Sequence, residues 1–323
     1  MAPDSNLNSK SAAPQVRDMG MQTPFTHPSS MTLLGEVNNL LHQKQVYSRP
    51  DHRIIFICGG PISRAKGSVR ARFLGYANKN LKQYRFLLAE TASKDLIETS
   101  SEPRFLNLTE FETLIAEISD CVIIIPESPG SYAELGCFSV STEIRRKILV
   151  VAKNEFQDES FINNGPIDLI DRNSAFKSVL LPKGYERGFK FVKQRLEAKL
   201  TFKSGKRIDL APESPKPLKI VLYLSYELVR IFRLLTLEDV KKGISQILGA
   251  AQDEQCRYVI SVLYAAKYLK RSRIDSDYFA VRDVDSSFLD IRHADIFGLI
   301  AKSTGNINKQ LPHLVEILNG EFE

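Results

Sequence analysis

The residues most able to do chemistry lie in Cys121–Phe138, CVIIIPESPGSYAELGCF. An apolar run ends at Pro126, a tight Pro-Gly loop follows, and a helix is expected to start near Ser131. Such a helix start offers free N–H groups and a positive dipole end to an anion or polar ligand. Glu134 falls about one turn into the helix, where its carboxylate can face a pocket above the strand ends. A carboxylate there can attack a sugar carbon or stabilise an oxocarbenium ion. The plainer alternative is that Glu134 only complements the helix dipole. Glu127, in the loop, can accept hydrogen bonds from ribose hydroxyls or lie solvated at the rim. Glu90, ending a second apolar run, can protonate a departing base or be an ordinary strand-end acid. Cys58, Gly59 and Gly60 end another run, and glycine there permits close backbone approach to a ligand. Arg64, Arg70 and Arg72 follow that loop and can bind phosphate, or be exposed helix arginines. Tyr132 can pack on a base or sugar, or in the core. Asn163 and Asn164 can hydrogen-bond a ligand, although Asn-Gly-Pro is first a turn signal.

These residues need a scaffold, and the pattern supplies one. Arg53–Cys58, Tyr84–Ala89, Cys121–Pro126 and Lys147–Ala152 read as strands of nearly continuous Ile, Val and Leu. Val69–Asn80, Leu108–Ser119 and Ser131–Arg145 read as the helices between them. That alternation predicts an α/β fold, a doubly wound, Rossmann-like parallel sheet covered on both faces, over residues 31–182. Ligands in such sheets sit at the carboxyl ends of the strands. Here those ends are the Gly59-Gly60 loop, the Glu90 region and the Pro126–Gly130 loop. Ser30–Gln45 has helical spacing, and residues 1–30, rich in Ser, Pro, Asn and Met, read as a flexible tail. Residues 183–217 read as a basic helix, Gly188–Leu200, followed by a Pro-rich linker. Residues 218–323 are expected to be mainly helical. Leu218–Leu235, Thr236–Leu248 (capped by Thr236 with Asp239) and Asp253–Lys270 precede a β-rich SRIDSDYFAVRDV. Helix, helix and short hairpin give a winged-helix-like outline that many helical bundles share.

Composition narrows the classes. The chain has 323 residues, 43% of them hydrophobic, enough for a sizeable core and for about two domains. No apolar run approaches the ~18 residues of a membrane span, and the N-terminus lacks a basic-then-apolar leader, so a cytoplasmic protein is expected. The four cysteines form no CxxC pair and the five histidines are scattered, so neither a disulfide framework nor a metal site is expected. The positive excess is concentrated in residues 171–219, with 13 Lys/Arg against 5 Asp/Glu. Lys190, Lys193, Arg195, Lys206 and Arg207 are therefore candidate phosphate contacts, unless the segment is only a solvated face. Lys270, Arg271 and Arg273 join them, read as lying with Arg257 and Lys267 on one tyrosine-rich helix with Tyr258, Tyr264 and Tyr268.

The segment PESPGSYAELG resembles the signature of the nucleoside 2-deoxyribosyltransferase superfamily, a D-S-G-T-x-x-E-x-G-like stretch that supplies a nucleophilic Glu. It resembles more closely the FPESPGS-x-x-ELG-x-F version of retron-associated effector proteins. IFICGG at Ile55–Gly60 and RRKILVV…SFINNGP at Arg145–Pro166 agree with that narrower likeness. The resemblance implies a nucleoside deoxyribosyltransferase-like domain followed by a winged-helix-like one. It implies Glu134 as catalytic Glu, Glu127 and Ser128 near the ribose-binding pair, and Gly130 and Ser131 at its Gly-Thr. Pro129 intervenes, so Glu127 stands seven residues before Glu134 rather than six, which leaves its role open. The implied activity is cleavage of an N-glycosidic bond in NAD or another nucleotide-type substrate, without a cofactor. The implied biology is a toxic, toxin–antitoxin-like effector of antiphage defence. Its implied partners are a retron reverse transcriptase and its multicopy RNA–DNA product, with higher-order assembly open. Two rivals stand beside this reading: a phosphoribohydrolase acting on nucleoside monophosphates, and a nucleotide-sensing or DNA-binding module without turnover.

Overall fold

The computed structural model describes residues 22–62, 67–91, 108–153, 160–182, 186–200, 205–211 and 216–323. The α/β half contains β2 (Arg53–Cys58), α2 (Val69–Asn80), β3 (Tyr84–Leu87), α3 (Leu108–Ile118), β4 (Cys121–Ile124) and α4 (Pro129–Val140). It continues through α5 (Thr142–Arg145), β5 (Ile148–Lys153), α6 (Asp168–Asn173), β6 (Val179–Leu181) and α7 (Glu186–Lys199). The five strands are parallel in the order β3-β2-β4-β5-β6, so the chain reverses direction across the sheet between β2 and β4. A crevice outside the strand ends at such a reversal is where open α/β sheets bind ligands.

Alternation along the strands splits the sheet between two cores. Ile55, Ile57, Ile123, Leu149 and Val151 face α2 (Phe73, Ala77) and α7 (Phe189, Val192, Leu196). Ile54, Phe56, Cys58, Val122, Ile124 and Val150 face α3 (Phe111, Ile115) and α4 (Leu135, Phe138). The second core does not stop at the α/β half. It runs on into α8 (Leu218–Phe232), in which every residue from Val221 to Phe232 is buried. α8 is buried on every side because α3 and the helical half wrap it.

That half adds β7 (Leu235–Thr236), α9 (Leu237–Leu248), α10 (Asp253–Ala265), β8 (Leu269–Arg271), β9 (Tyr278–Val281), β10 (Leu289–Ile291), α11 (Ile296–Gln310) and α12 (Pro312–Asn319). A three-stranded antiparallel sheet, β7-β9-β8, closes against α8 and α10. The Thr236–Asp239 capping box forms as its spacing predicts. Two of the expected boundaries shift. The helix read over Ser131–Arg145 starts at Pro129 and breaks at Ser141, whose hydroxyl caps α5. The helix read over Asp253–Lys270 ends at Ala265, because the residues after it pair with β9.

The segments placed outside the domains also fold differently. Residues 1–21 lie outside the described residues, but residues 24–30, expected to belong to a flexible tail, are folded. Phe25 is fully buried with its ring 4.6 Å from that of Phe232, and its N–H donates to Asp239 (3.1 Å). α1 (Pro28–Gln43) packs on α9 and α11, and β1 (Val46–Ser48) pairs antiparallel with β10. The segment before β2 therefore packs with the C-terminal half. The basic helix α7 belongs to the sheet. Residues 205–208, read as linker, pair with β1 through Ser48 N–H to Lys206 O (2.9 Å) and Ile208 N–H to Val46 O (2.8 Å).

One polar contact pins the halves together, and a second, buried one holds α8 within the helical half. Asp120, at the foot of the sheet, accepts from Arg53 (3.1 Å), the Ile54 N–H (3.0 Å) and Lys219 in the first turn of α8 (2.7 Å). Inside α8, Glu227 pairs with Arg230 at 2.8 Å and accepts from Ser287, and both charged side chains are almost fully buried. Removing one member of a buried ion pair leaves the other uncompensated. Glu227→Ala is expected to lower unfolding stability by about 3–5 kcal/mol in urea titrations, and Glu227→Ala/Arg230→Met to recover much of that loss.

Candidate functional site

The site grows from the exits of β2 and β4. Glu127 leaves β4 and turns its carboxylate across the crevice onto backbone. Oε1 accepts from Gly60 N–H and Arg70 N–H, both at 2.9 Å, and Oε2 from Val69 N–H at 2.7 Å. Two of these donors are otherwise unpaired groups at the start of α2. The Gly59-Gly60 pair is explained by the same contact. A Cβ at Gly60 would sit 3.0 Å from the Glu127 side chain, and one at Gly59 would sit 3.0 Å from Arg70 Cβ. Glycine therefore lets the loop close on Glu127, and Glu127 holds the loop rather than standing solvated at its rim.

Ser128 and Ser131 cap α4. Ser131 N–H donates to Ser128 Oγ (3.3 Å), and the N–H groups of Glu127 and Ser128 donate to Ser131 Oγ at 3.0 and 2.9 Å. Gly130 is open, with nothing within 4 Å of where a Cβ would sit, and Tyr132 is half-buried. Asn163 and Asn164 open a π-helical turn, Asn163–Ile167, that runs straight into α6 with Pro166 inside it. The expected Asn-Gly-Pro turn is thus a wide helical turn, a feature frequent at functional sites.

Arg70, from the first turn of α2, is buried and links three parts of the crevice. Its Nε donates to Gly60 O (2.6 Å), and its terminal nitrogens reach the Glu90 carboxylate at 2.6 and 3.4 Å. Glu90 is thereby held by an arginine, with 46% of its side chain exposed. Arg70 acts here as an internal clamp. Arg64 lies outside the described residues.

Glu134 sits deeper. Its Oε2 is buried and meets no backbone or hydroxyl donor. The groups that reach its carboxylate are the Cys58 thiol and the carboxyl of Glu112 on α3. Burial raises Glu134 above the ordinary Glu value, while Arg70 and the bonds from Cys58 and Glu112 oppose that rise. Glu112 is pushed up to about 7, first by burial and then by the Glu134 charge and the bond to it. Two carboxyl groups in contact share a proton more readily than both ionise, so the pair retains a proton above the ordinary Glu range. Burial, with both carboxylates beside it, pushes the Cys58 thiol well up, so it remains a neutral donor.

Glu112 is the residue that sequence reasoning missed. Its signal was present as an acid facing inward on the amphipathic α3, but only the packing of α3 over β2 shows which carboxyl it meets. The candidate nucleic-acid contacts are on separate elements. Lys190, Lys193 and Arg195 lie on α7, where Lys193 reaches Glu197 (3.8 Å) and Lys190 lies over Phe191. Lys206 and Arg207 lie beside β1. Lys270 and Arg271 are on β8 and Arg273 follows it, so none of the three is on the helix where they were expected. A surface hollow of about 400 Å³ between β6 and α7, lined by Leu180, Phe191 and Arg195, is remote in the fold from the carboxylates. Among the described residues, no group of His, Cys, Asp or Glu is arranged to hold a metal ion, and no helix is long and apolar enough to cross a membrane.

Fold and site define an α/β protein with a pair of carboxyl groups in contact at the chain reversal of a five-stranded parallel sheet. Residues 66–271 match the family described as STM3845 retron effector protein, and the chain belongs to that family. Two Escherichia coli relatives agree. The "Retron Ec73 putative ribosyltransferase/DNA-binding protein" is 34% identical over 124 residues, which is 38% of this chain and 39% of the relative. The "Retron Ec86 putative ribosyltransferase/DNA-binding protein" is 33% identical over 162 residues, half of each chain. The chain thus spans half or less of the length of these curated relatives.

A carboxyl raised in the folded state binds a proton that the unfolded chain releases, so its contribution to stability falls as pH rises. For Glu112 that window runs from its ordinary 4.5 to about 7. Glu112→Gln is therefore expected to melt a few degrees above wild type at pH 8, and the gap to close at pH 5. Thermal unfolding at the two pH values checks this, and a gap independent of pH would contradict it.

Proposed function

We propose that this effector cleaves the N-glycosidic bond of a nucleotide-type substrate, with NAD the first candidate, and that it does so through Glu134. The observation that carries this reading is the Glu134–Glu112 pair. It puts two buried carboxyl groups in contact beneath the strand ends, a pair that can carry one proton and one charge. Glu134 attacks C1′ of the sugar, and the C1′–N bond breaks with its electron pair leaving on the base. Glu112 gives its proton to a base that would otherwise leave as an anion. Nicotinamide leaves NAD as a neutral ring and takes no proton, and for that substrate Glu112 enters the hydrolysis already ionised. Water then attacks C1′, Glu112 takes the proton of that water, and Glu134 departs as a carboxylate. An acceptor base in place of water would make the same sequence a transfer. The ribosyltransferase wording in the relatives' names supports sugar transfer chemistry of this kind.

In this reading the α/β half is nucleoside deoxyribosyltransferase-like, Ser128, Gly130, Ser131 and Tyr132 line the sugar side, and Asn163 and Asn164 line the opposite rim. Glu127 and Arg70 act as positioning residues for the Gly59-Gly60 loop and Glu90. The order α8-β7-α9-α10-β8-β9, with its three-stranded sheet, supports a winged-helix-like second half. The retron effector family supports a role as a retron effector, and in this reading its toxicity is restrained by a reverse transcriptase and its RNA–DNA product.

Incubation of purified protein with NAD, NADP and ribo- and deoxyribonucleotides, alone and with the retron components, followed by mass spectrometry of released bases, tests the reading. Glu134→Gln is expected to abolish release. Glu112→Gln is expected to lower it ~100-fold and, for a base that leaves as an anion, to remove the decline above pH 7. Base release retained in a folded Glu134→Gln variant would overturn the assignment.

A further inference from the structure

In helix-based DNA readers, a helix presents side chains to a groove. α10 holds the corresponding place in this chain, but it is enclosed: Cys256 and the residues from Tyr258 to Leu263 are buried, and its exposed start carries Asp253 and Glu254. The cations lie instead on the hairpin that follows. Lys270 pairs opposite Ala280, and Arg282 N–H donates to Tyr268 O (3.0 Å), so Lys270 and Arg282 are diagonal neighbours on one face. Arg233, held at φ 68°, is close enough that its charge and that of Arg282 add to burial in pulling the Lys270 ammonium below its usual range. A non-glycine residue at such a φ is strained, and strain of this kind collects at functional surfaces.

The outer edge of β8 is not bare. Residues 321–323, Glu-Phe-Glu, lie along it in extended form, joined by an antiparallel bridge that sets Phe322 opposite Ser272. Arg271 N–H donates to Glu323 O (3.2 Å), Glu323 N–H to Arg271 O (3.0 Å) and Arg273 N–H to Glu321 O (3.0 Å). The Glu321 carboxylate pairs with Arg273 at 2.8 Å, and the Phe322 ring lies 4.3 Å from Lys270 Nζ. Two carboxylates placed two residues apart on an extended strand are ~6.8 Å apart along it, close to the spacing of neighbouring phosphates. The Glu321–Arg273 pair is largely exposed, and pairs of that kind are weak.

We propose that the edge of the β8–β9 hairpin, with Arg271 and Arg273 on one face and Lys270 and Arg282 on the other, is the docking surface for a nucleic-acid phosphodiester backbone, and that residues 321–323 occupy it in the free protein, Glu321 and Glu323 standing on the Arg271–Arg273 face as a backbone mimic and Phe322 covering Lys270. The proposal rests on the nucleic-acid-contact reading of the helical half and is independent of the chemistry at Glu134. A polyanion arriving at this edge releases condensed counterions, which the short acidic strand does not, so it can replace that strand.

The test is fluorescence anisotropy of a labelled single-stranded DNA and of its duplex with the full chain. Glu321→Gln/Glu323→Gln is expected to bind roughly tenfold tighter than wild type. Adding Lys270→Ala and Arg273→Ala to that variant is expected to return affinity to the wild-type level or below. In the wild type, the Glu323 amide should exchange hydrogen faster when DNA is bound. An acid-neutralised variant with unchanged melting and no gain in affinity overturns the mimic. Binding indifferent to Lys270 and Arg273 overturns the docking surface while leaving nucleic-acid contact elsewhere in the chain intact. Absence of binding by every variant overturns both.

Discussion

The architecture of the candidate site depends on one carboxylate satisfied by backbone. Glu127 accepts three N–H groups from the β2 exit loop and the start of α2. Hydrogen bonds to an ionised acceptor are among the stronger ones in proteins. This set ties two neighbouring strand exits at the chain reversal. The tie has consequences along a chain of contacts. It needs Gly59 and Gly60, because a side chain at either would meet Glu127 or Arg70. It sets the first turn of α2, which aims Arg70 back at Gly60 O and outward at Glu90. Arg70 then lies near enough to Glu134 to offset part of the cost of burying its charge.

Against that rigid frame, the reactive pair is the least satisfied part of the molecule. Glu134 has a buried oxygen with no fixed donor, and Glu112 keeps a proton at a pH where an ordinary Glu has lost it. Buried carboxyls in contact cost stability, and such costs concentrate where pKa tuning serves chemistry. The offset comes from a continuous apolar core. α8, buried on all sides, joins the sheet to the helical half, so the two halves share one interior. α3, which carries Glu112, lies between the sheet and α8, so the helical half helps to hold the acid against Glu134.

Much of the fold was legible because its signals are local. The β2, β4 and β5 strands are unbroken apolar runs, since a strand of a covered parallel sheet needs apolar side chains on both faces. The Thr236–Asp239 cap and the start of α2 follow from residues a few positions apart. Phe25 was not legible. It lies in a Ser- and Pro-rich stretch without periodicity, and its burial depends on Phe232 and Asp239, more than two hundred residues away. Lys270, Arg271 and Arg273 depart from the expected helix for a similar reason. Their backbone is committed by pairing with β9 and with residues 321–323, and helical propensity yields to that pairing.

The amino-acid sequence by itself determined the alternation of strands and helices, the loop after β4 with Glu134 one turn beyond it, and the effector-like signature around it. Those are properties of spacing within a few turns of chain. The tertiary structure decided which groups meet. It assigned Glu127 to the glycine loop, Arg70 to Glu90 and Glu112 to Glu134, and it laid an acidic strand on the basic hairpin. Each of these pairs joins residues from different elements. What they do depends on burial and on distances of about 3 Å between groups, and neither is set until the sheet and its covering helices have packed.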